Sequence, residues 1–254
     1  MTLLGRILGL GWMPPDVSTY GPAIDSTTRF VFYTVGSIFI LTEALLVLFV
    51  ILYRRKGKGG GRADYVAGNT WKQLAWILIP VIIVTMLDLS IEAKARPVWR
   101  FVKESLPKED MTVKVRAVQF GWEFIYPGPD GKFGTKDDLV QTNTLVVPAN
   151  RVVRLIITSK DVIHSFYIPV LRFKQDAVPG REIPQWFEVT QPGKYEIACS
   201  QLCGILHWAM KGILIADTPE EYQQWVNQHW PAHSNAAPVK GAANTIGVQG
   251  EKED

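Results

Sequence analysis

Hydropathy divides the chain into two unlike parts. The first hundred residues hold two long apolar runs, and the remainder reads as short alternating runs. Phe30 to Tyr53 is predominantly apolar, with Glu43 as its one charged residue. At about 24 residues it is long enough to cross a hydrocarbon core of about 30 Å with some tilt. Trp71 to Leu89 is a second spanning candidate. It carries Pro80, which membrane helices tolerate where neighbours satisfy the freed carbonyl. Between the two lie Arg54, Arg55, Lys56 and Lys58, then glycines and Arg62. A basic loop of this kind marks the cytoplasmic face, so both termini are expected on the outer side.

Ahead of the hairpin, residues 1–28 are expected to form an arm. Its apolar stretch from Leu3 to Leu10 is broken by Arg6. That is a poorer match to an uninterrupted signal-peptide core than to an uncleaved segment. The hairpin is placed at 29–93 and a polar linker with Pro97 and Pro107 at 94–110. From Met111 the period changes to two. Thr112–Val118 and Arg151–Ile157 alternate, and Phe187–Val189, Lys194–Ala198 and Gly212–Ala216 are further strands. Gly, Pro, Asn and Asp punctuate them at short intervals, which predicts an all-β sandwich or barrel over 111–232. Thr218-Pro219 opens a short helix over Glu220–Trp230. The small, polar segment 233–254 is expected to be a disordered tail.

Composition adds two constraints. A net charge of +3 is too small to point to nucleic acid. There are two cysteines, Cys199 and Cys203, both within Cys199-Ser-Gln-Leu-Cys203-Gly-Ile-Leu-His207-Trp-Ala-Met210. A C-x₃-C pair in an exported domain can be a disulfide. An imidazole and a thioether in the same loop, with His164 at the end of an upstream strand, favour a metal instead. Thiolate, thioether and imidazole together suit copper, and a structural zinc site does not need the Met. Copper sites on β-sandwiches use His₂Cys with a weak axial Met. A second Cys lets two coppers share both thiolates, with Met210 and the Gln201 carbonyl as axial ligands.

These motifs make the chain resemble subunit II of the haem–copper cytochrome c oxidases, from the first spanning helix to about Trp230. Trp76-Ile-Leu-Ile-Pro80 and Lys174-Gln-Asp-Ala-Val-Pro-Gly-Arg181 match as well. The resemblance implies a two-helix hairpin, a cupredoxin-type Greek-key domain and a binuclear copper A centre. Its ligands would be His164, Cys199, Gln201 through its carbonyl, Cys203, His207 and Met210. It also implies oxidase subunits I and III and membrane lipid as partners, and cytochrome c or a cytochrome-bearing complex as donor. The implied location is the bacterial plasma membrane.

Three positions depart from the family pattern. Gln201 replaces a Glu whose side chain helps bind magnesium or manganese at the subunit I contact, and a neutral amide is the weaker ligand for a hard cation. Phe120 replaces the Trp thought to receive the electron from cytochrome c, in the stretch Gln119-Phe-Gly-Trp122-Glu-Phe124-Ile-Tyr126. Phe120 and Trp122 are candidate receiving residues, although Trp122 and Phe124 also fit a sandwich core. Gln73 replaces a Glu linked to proton loading. Asp161 has the placement of a docking acid, and Gly128–Asp138 reads as a solvated hairpin turn lacking the EF-hand spacing. A copper A subunit of a membrane nitric oxide reductase, and a tethered copper carrier, are the competing functions.

Overall fold

The computed structural model describes residues 13–54 and 65–230. Leu3–Leu10, most of the basic loop and the segment 233–254 lie outside the described residues. Helix α1 spans Gly21–Tyr53 and starts nine residues before Phe30, at a proline in its first turn. Thr27 and Thr28 do not break it, because each hydroxyl donates back to the carbonyl four residues earlier. Its 33 residues are about 50 Å long, more than a bilayer core requires. The first turns therefore belong with the β-domain.

Helix α2 spans Trp71–Trp99, capped by the Thr70 hydroxyl, which accepts from the Gln73 N–H. The linker expected from residue 94 begins later than that. The chain stays helical through Trp99 and continues as a wide turn over Arg100–Glu104. Glu92–Arg96 and Arg100–Glu104 pairs, each four residues apart, support this extension. The apolar spans of both helices are uncovered within the chain. Such surface requires lipid or partner helices.

The β-domain has two five-stranded sheets. The first contains β1 (Met111–Val118), β2 (Gly121–Tyr126), β3 (Leu139–Thr142), β5 (Val152–Ser159) and β8 (Ile183–Glu188), in the order β3-β2-β1-β5-β8. The second contains β4 (Thr144–Pro148), β6 (His164–Ile168), β7 (Phe173–Ala177), β9 (Gly193–Cys199) and β10 (Lys211–Asp217), in the order β4-β10-β9-β6-β7. β1 runs parallel to β5 and β10 parallel to β4. The chain therefore crosses between sheets, as a Greek-key sandwich requires. Helix α3 (Pro219–His229) follows, held at its start by a Thr218–Glu221 capping box.

Alternation decides which face is buried. Val113, Val115 and Ala117 of β1 point inward with Val153, Leu155 and Ile157 of β5. Lys114 and Arg116 point outward and pair with Glu182 and Glu123. From the second sheet, Phe166, Ile168, Ile197 and Leu214 close the core. Edge-to-face aromatic contacts run from Trp122 to Phe166 at 5.0 Å, then to Phe173 at 6.0 Å and Phe187 at 5.8 Å. The strands legible by alternation are all present. β6 and β7 have no clear alternation in sequence, because β6 is buried on both sides of the strand except at Tyr167.

The second sheet positions the cysteine loop. In the antiparallel pairing of β6 with β9, Phe166 faces Cys199. In that of β9 with β10, Ala198 faces Lys211. His164 at the start of β6, Cys199 at the end of β9 and Met210 just before β10 therefore meet at one end of the sheet.

Candidate metal centre

Both cysteines are free thiols, their sulfurs 3.9 Å apart, which removes the disulfide reading. His164 Nδ1 lies 4.0 Å from Cys199 Sγ, and His207 Nδ1 lies 3.6 Å from Cys203 Sγ. The Gln201 carbonyl oxygen is 3.2 Å from Cys199 Sγ, and Met210 Sδ is 3.8 Å from Cys203 Sγ. Each sulfur thus has one imidazole and one weaker donor, a carbonyl oxygen or a thioether, beside it, and the two sulfurs face each other. The ligand atoms of His164, Cys199 and Cys203 all lie within 4.8 Å of one another. His164, Cys203 and Met210 are buried. Burial and the neighbouring Cys199 sulfur push the Cys203 thiol up to about 11. Metal uptake must displace that proton, since the thiolate is the ligand form.

Asp161 supports the histidine. Its Oδ1 is 2.8 Å from His164 Nε2, and its other oxygen accepts from the Gln119 N–H at 2.7 Å. The Val162 N–H donates to Oδ1 at 2.7 Å. Partial burial works to raise this carboxyl, but the hydrogen bonds from His164, Gln119 and Val162 outweigh it and hold it at about 2. With Nε2 committed to a carboxylate, Nδ1 is left facing the thiols. A carboxylate behind the imidazole is the usual support of a metal-bound histidine. The sequence alone points to Asp161 as a docking acid and does not show this supporting role. The Asp-x-x-His spacing was the available signal.

Gln119 is a second residue missed in the sequence. Its Nε2 donates to the Cys203 carbonyl at 2.6 Å and ties the β1–β2 turn to the cysteine loop. Gly204, at φ 139°, lets this contact form, since a Cβ there would lie 3.0 Å from Gln119 Nε2 and from the Phe120 ring. Phe120 is therefore half-buried against the loop. Trp122 is different. It has no exposed surface, packs against His164 and Phe166, and is a core residue that no donor can touch. The Gln201 residue is exposed, and so are Leu202, Ile205 (87%) and Trp208 (76%) around it.

The sequence matches the profile of the cytochrome c oxidase subunit II periplasmic domain over residues 111–217. It is 31% identical over 250 residues to a probable cytochrome c oxidase subunit 2 of Rickettsia bellii, a match covering 92% of this chain and 89% of the relative. The chain belongs to the cytochrome c oxidase subunit II family. A Rickettsia prowazekii relative of the same description is 35% identical over 207 residues, covering 76% of this chain and 64% of the relative. Among solved structures, the periplasmic domain of subunit II of Bradyrhizobium japonicum cytochrome oxidase is 33% identical. It covers 50% of this chain and 99% of that one, with a TM-score of 0.44.

Family membership makes the chain a component of a haem–copper oxidoreductase and implies copper. The donor set fits that metal. Two thiols, two imidazoles, one thioether and one carbonyl converge, and soft sulfur with imidazole is what copper prefers.

Proposed function

We propose that this subunit receives electrons from a cytochrome c-type donor at a binuclear copper A centre and passes them to haem in subunit I. There oxygen is reduced to water with coupled proton translocation. The observation that carries the reading is the paired arrangement of donors, His164 and the Gln201 carbonyl at one sulfur and His207 and Met210 at the other. Two copper ions held there would supply a one-electron acceptor and donor.

The chain's own residues keep such a site ready. Asp161 fixes the His164 ring, and Gln119 fixes the Cys203 carbonyl. Trp122, Phe166 and Met210 keep water from its inner side. Ligands held this rigidly move little when the charge of the site changes, which favours fast transfer. The same burial argues against a copper carrier, which must release its metal. Phe120 and the exposed apolar loop offer the contact surface beside the site. The two apolar helices fit a membrane subunit; in this reading it lies in the plasma membrane, with the basic loop of the sequence on the inner side and the β-domain outside. Subunits I and III and lipid cover the bare helix faces.

Electron paramagnetic resonance on the copper-loaded full-length subunit tests the assignment. The expected signal is that of one unpaired electron shared by two copper nuclei, lost in Cys199→Ser and in Cys203→Ser. A single-copper pattern, or a shared pattern surviving either exchange, overturns it.

A further inference from the structure

Residues 16–25 do not simply lead into the membrane. They are stitched into the β-domain. The Val17 N–H donates to the Val170 carbonyl at 3.0 Å, and the Thr190 N–H donates to the Val17 carbonyl at 2.8 Å. Tyr20 is buried with its ring edge on Trp186. One turn into α1, Asp25 meets Arg172 in a two-pronged ion pair. Arg172 Nε is 2.7 Å from Asp25 Oδ1, and Nη2 is 2.9 Å from Oδ2. The guanidinium also donates to the carbonyls of Pro14 at 2.7 Å and Pro169 at 2.9 Å. Both side chains are nearly buried, at 9% and 12% exposure.

A second, independent observation singles out Arg172. Its φ is 53°, in the left-handed region where a residue with a Cβ is strained and glycine is not. Strained positions persist where the surrounding structure over-determines them. Here the surroundings are the Asp25 carboxylate and the Pro14 and Pro169 carbonyls, which only a planar, multi-donor side chain satisfies together. The strained residue is the last before β7. That strand pairs with β6, and β6 starts at His164.

We infer that Arg172 is a positioning residue. It latches the first membrane helix to the turn of the β6–β7 hairpin, at the opposite end of β6 from His164, and so fixes the tilt of the metal-bearing sheet against the membrane and the subunit that takes the electron. The last clause rests on the proposed function, while the latch itself does not. The mounting has a second point on the same strand. Lys103, just beyond α2, donates to the Lys174 carbonyl at 2.9 Å and to Gln175 at 3.2 Å. The ends of both helices thus grip the β6–β7 hairpin.

The test uses the assembled oxidase carrying Arg172→Gly, Arg172→Lys, Asp25→Asn, or the charge swap Asp25→Arg with Arg172→Asp. Arg172→Gly removes the backbone strain together with the fork, so a loss of function cannot come from strain. Amide exchange at Val17 and Thr190 should quicken by about tenfold in Arg172→Gly and Asp25→Asn, with β9 and β10 unchanged. The copper spectrum should stay as in the wild type, and light-triggered electron passage from copper to haem should slow several-fold. The charge swap should recover part of both. Wild-type exchange at Val17 and Thr190 in Arg172→Gly overturns the latch. Quickened exchange with an unchanged transfer rate overturns its positioning role. If Arg172→Gly does not assemble, Arg172→Lys decides on the same readouts, because it keeps the charge and loses the fork. A missing binuclear signal in the wild type would sink the function and leave the exchange result standing.

Discussion

Asp161→Asn probes how much of the site is held by groups that never touch the metal. The His164 ring is fully buried, and its Nε2 has the Asp161 carboxylate at 2.8 Å as its partner. Removing an outer partner of this kind costs about 10–100-fold in metal affinity, or about 1.4–2.7 kcal/mol. Asparagine keeps one acceptor oxygen and loses the charge, so Asp161→Asn belongs near the tenfold end. Asp161→Ala also leaves a buried ring N–H unpaired, at about 1–3 kcal/mol, and belongs near the hundredfold end. The assay is competition for copper between the full-length subunit and a calibrated chelator. The denaturant midpoint of the copper-free protein separates folding from binding. An alanine variant that binds copper within about twofold of wild type would refute the claim that the carboxylate behind the imidazole holds the site. The ring would then be oriented by its packing against Trp122 alone.

Three further outcomes are expected. Gly204→Ala forces a Cβ to within 3.0 Å of Gln119 and Phe120 at a φ of 139°. It should cost about 1–3 kcal/mol in a denaturant titration and slow donor oxidation by displacing Phe120. Burial, and then the charge of Asp110, raise the Glu188 carboxyl, so the folded protein holds that proton to higher pH than the unfolded chain does. Its contribution to stability therefore falls as pH rises through that window. Glu188→Gln should raise the midpoint near neutral pH and leave it unchanged well below the unfolded carboxyl pKa of about 4.3. Gln201→Glu should leave the copper spectrum intact, since the carbonyl lies toward Cys199 and the side chain is exposed, and should create a manganese signal in the assembled oxidase.

The sequence was most informative where the physics is local. Alternation placed β1, β5, β9 and β10, and apolar length placed both membrane helices. The six candidate ligands could be named because residue chemistry and spacing pointed to one metal. What stayed hidden depends on contacts across the fold. Arg172 and Asp25 are 147 residues apart, and nothing along the chain pairs them. Gln119 and Cys203 are 84 apart. The helical extension to Glu104 was obscured by Pro97, which usually ends a helix. Trp122 was ambiguous because an aromatic residue reads alike as core or as contact, and only its burial decides.

The seam between β6 and β9 has a consequence for how the domain comes apart. Its register is two pairs long, Phe166 with Cys199 and Tyr167 with Ala198, whereas β9 and β10 share six. Every candidate ligand lies on or beside this one sheet, and the sheet β3-β2-β1-β5-β8 supplies none. A metal bridging His164 to Cys199 would act as a clasp across the open end of the shortest ladder. The copper-free domain should then loosen as a book does at a torn hinge. The leaf bearing β6 and β7 would part from β9 while the other sheet stays shut. Without a bound metal, the β6–β7 hairpin, to which the Arg172 latch ties the first helix, should therefore be the segment a protease cuts first.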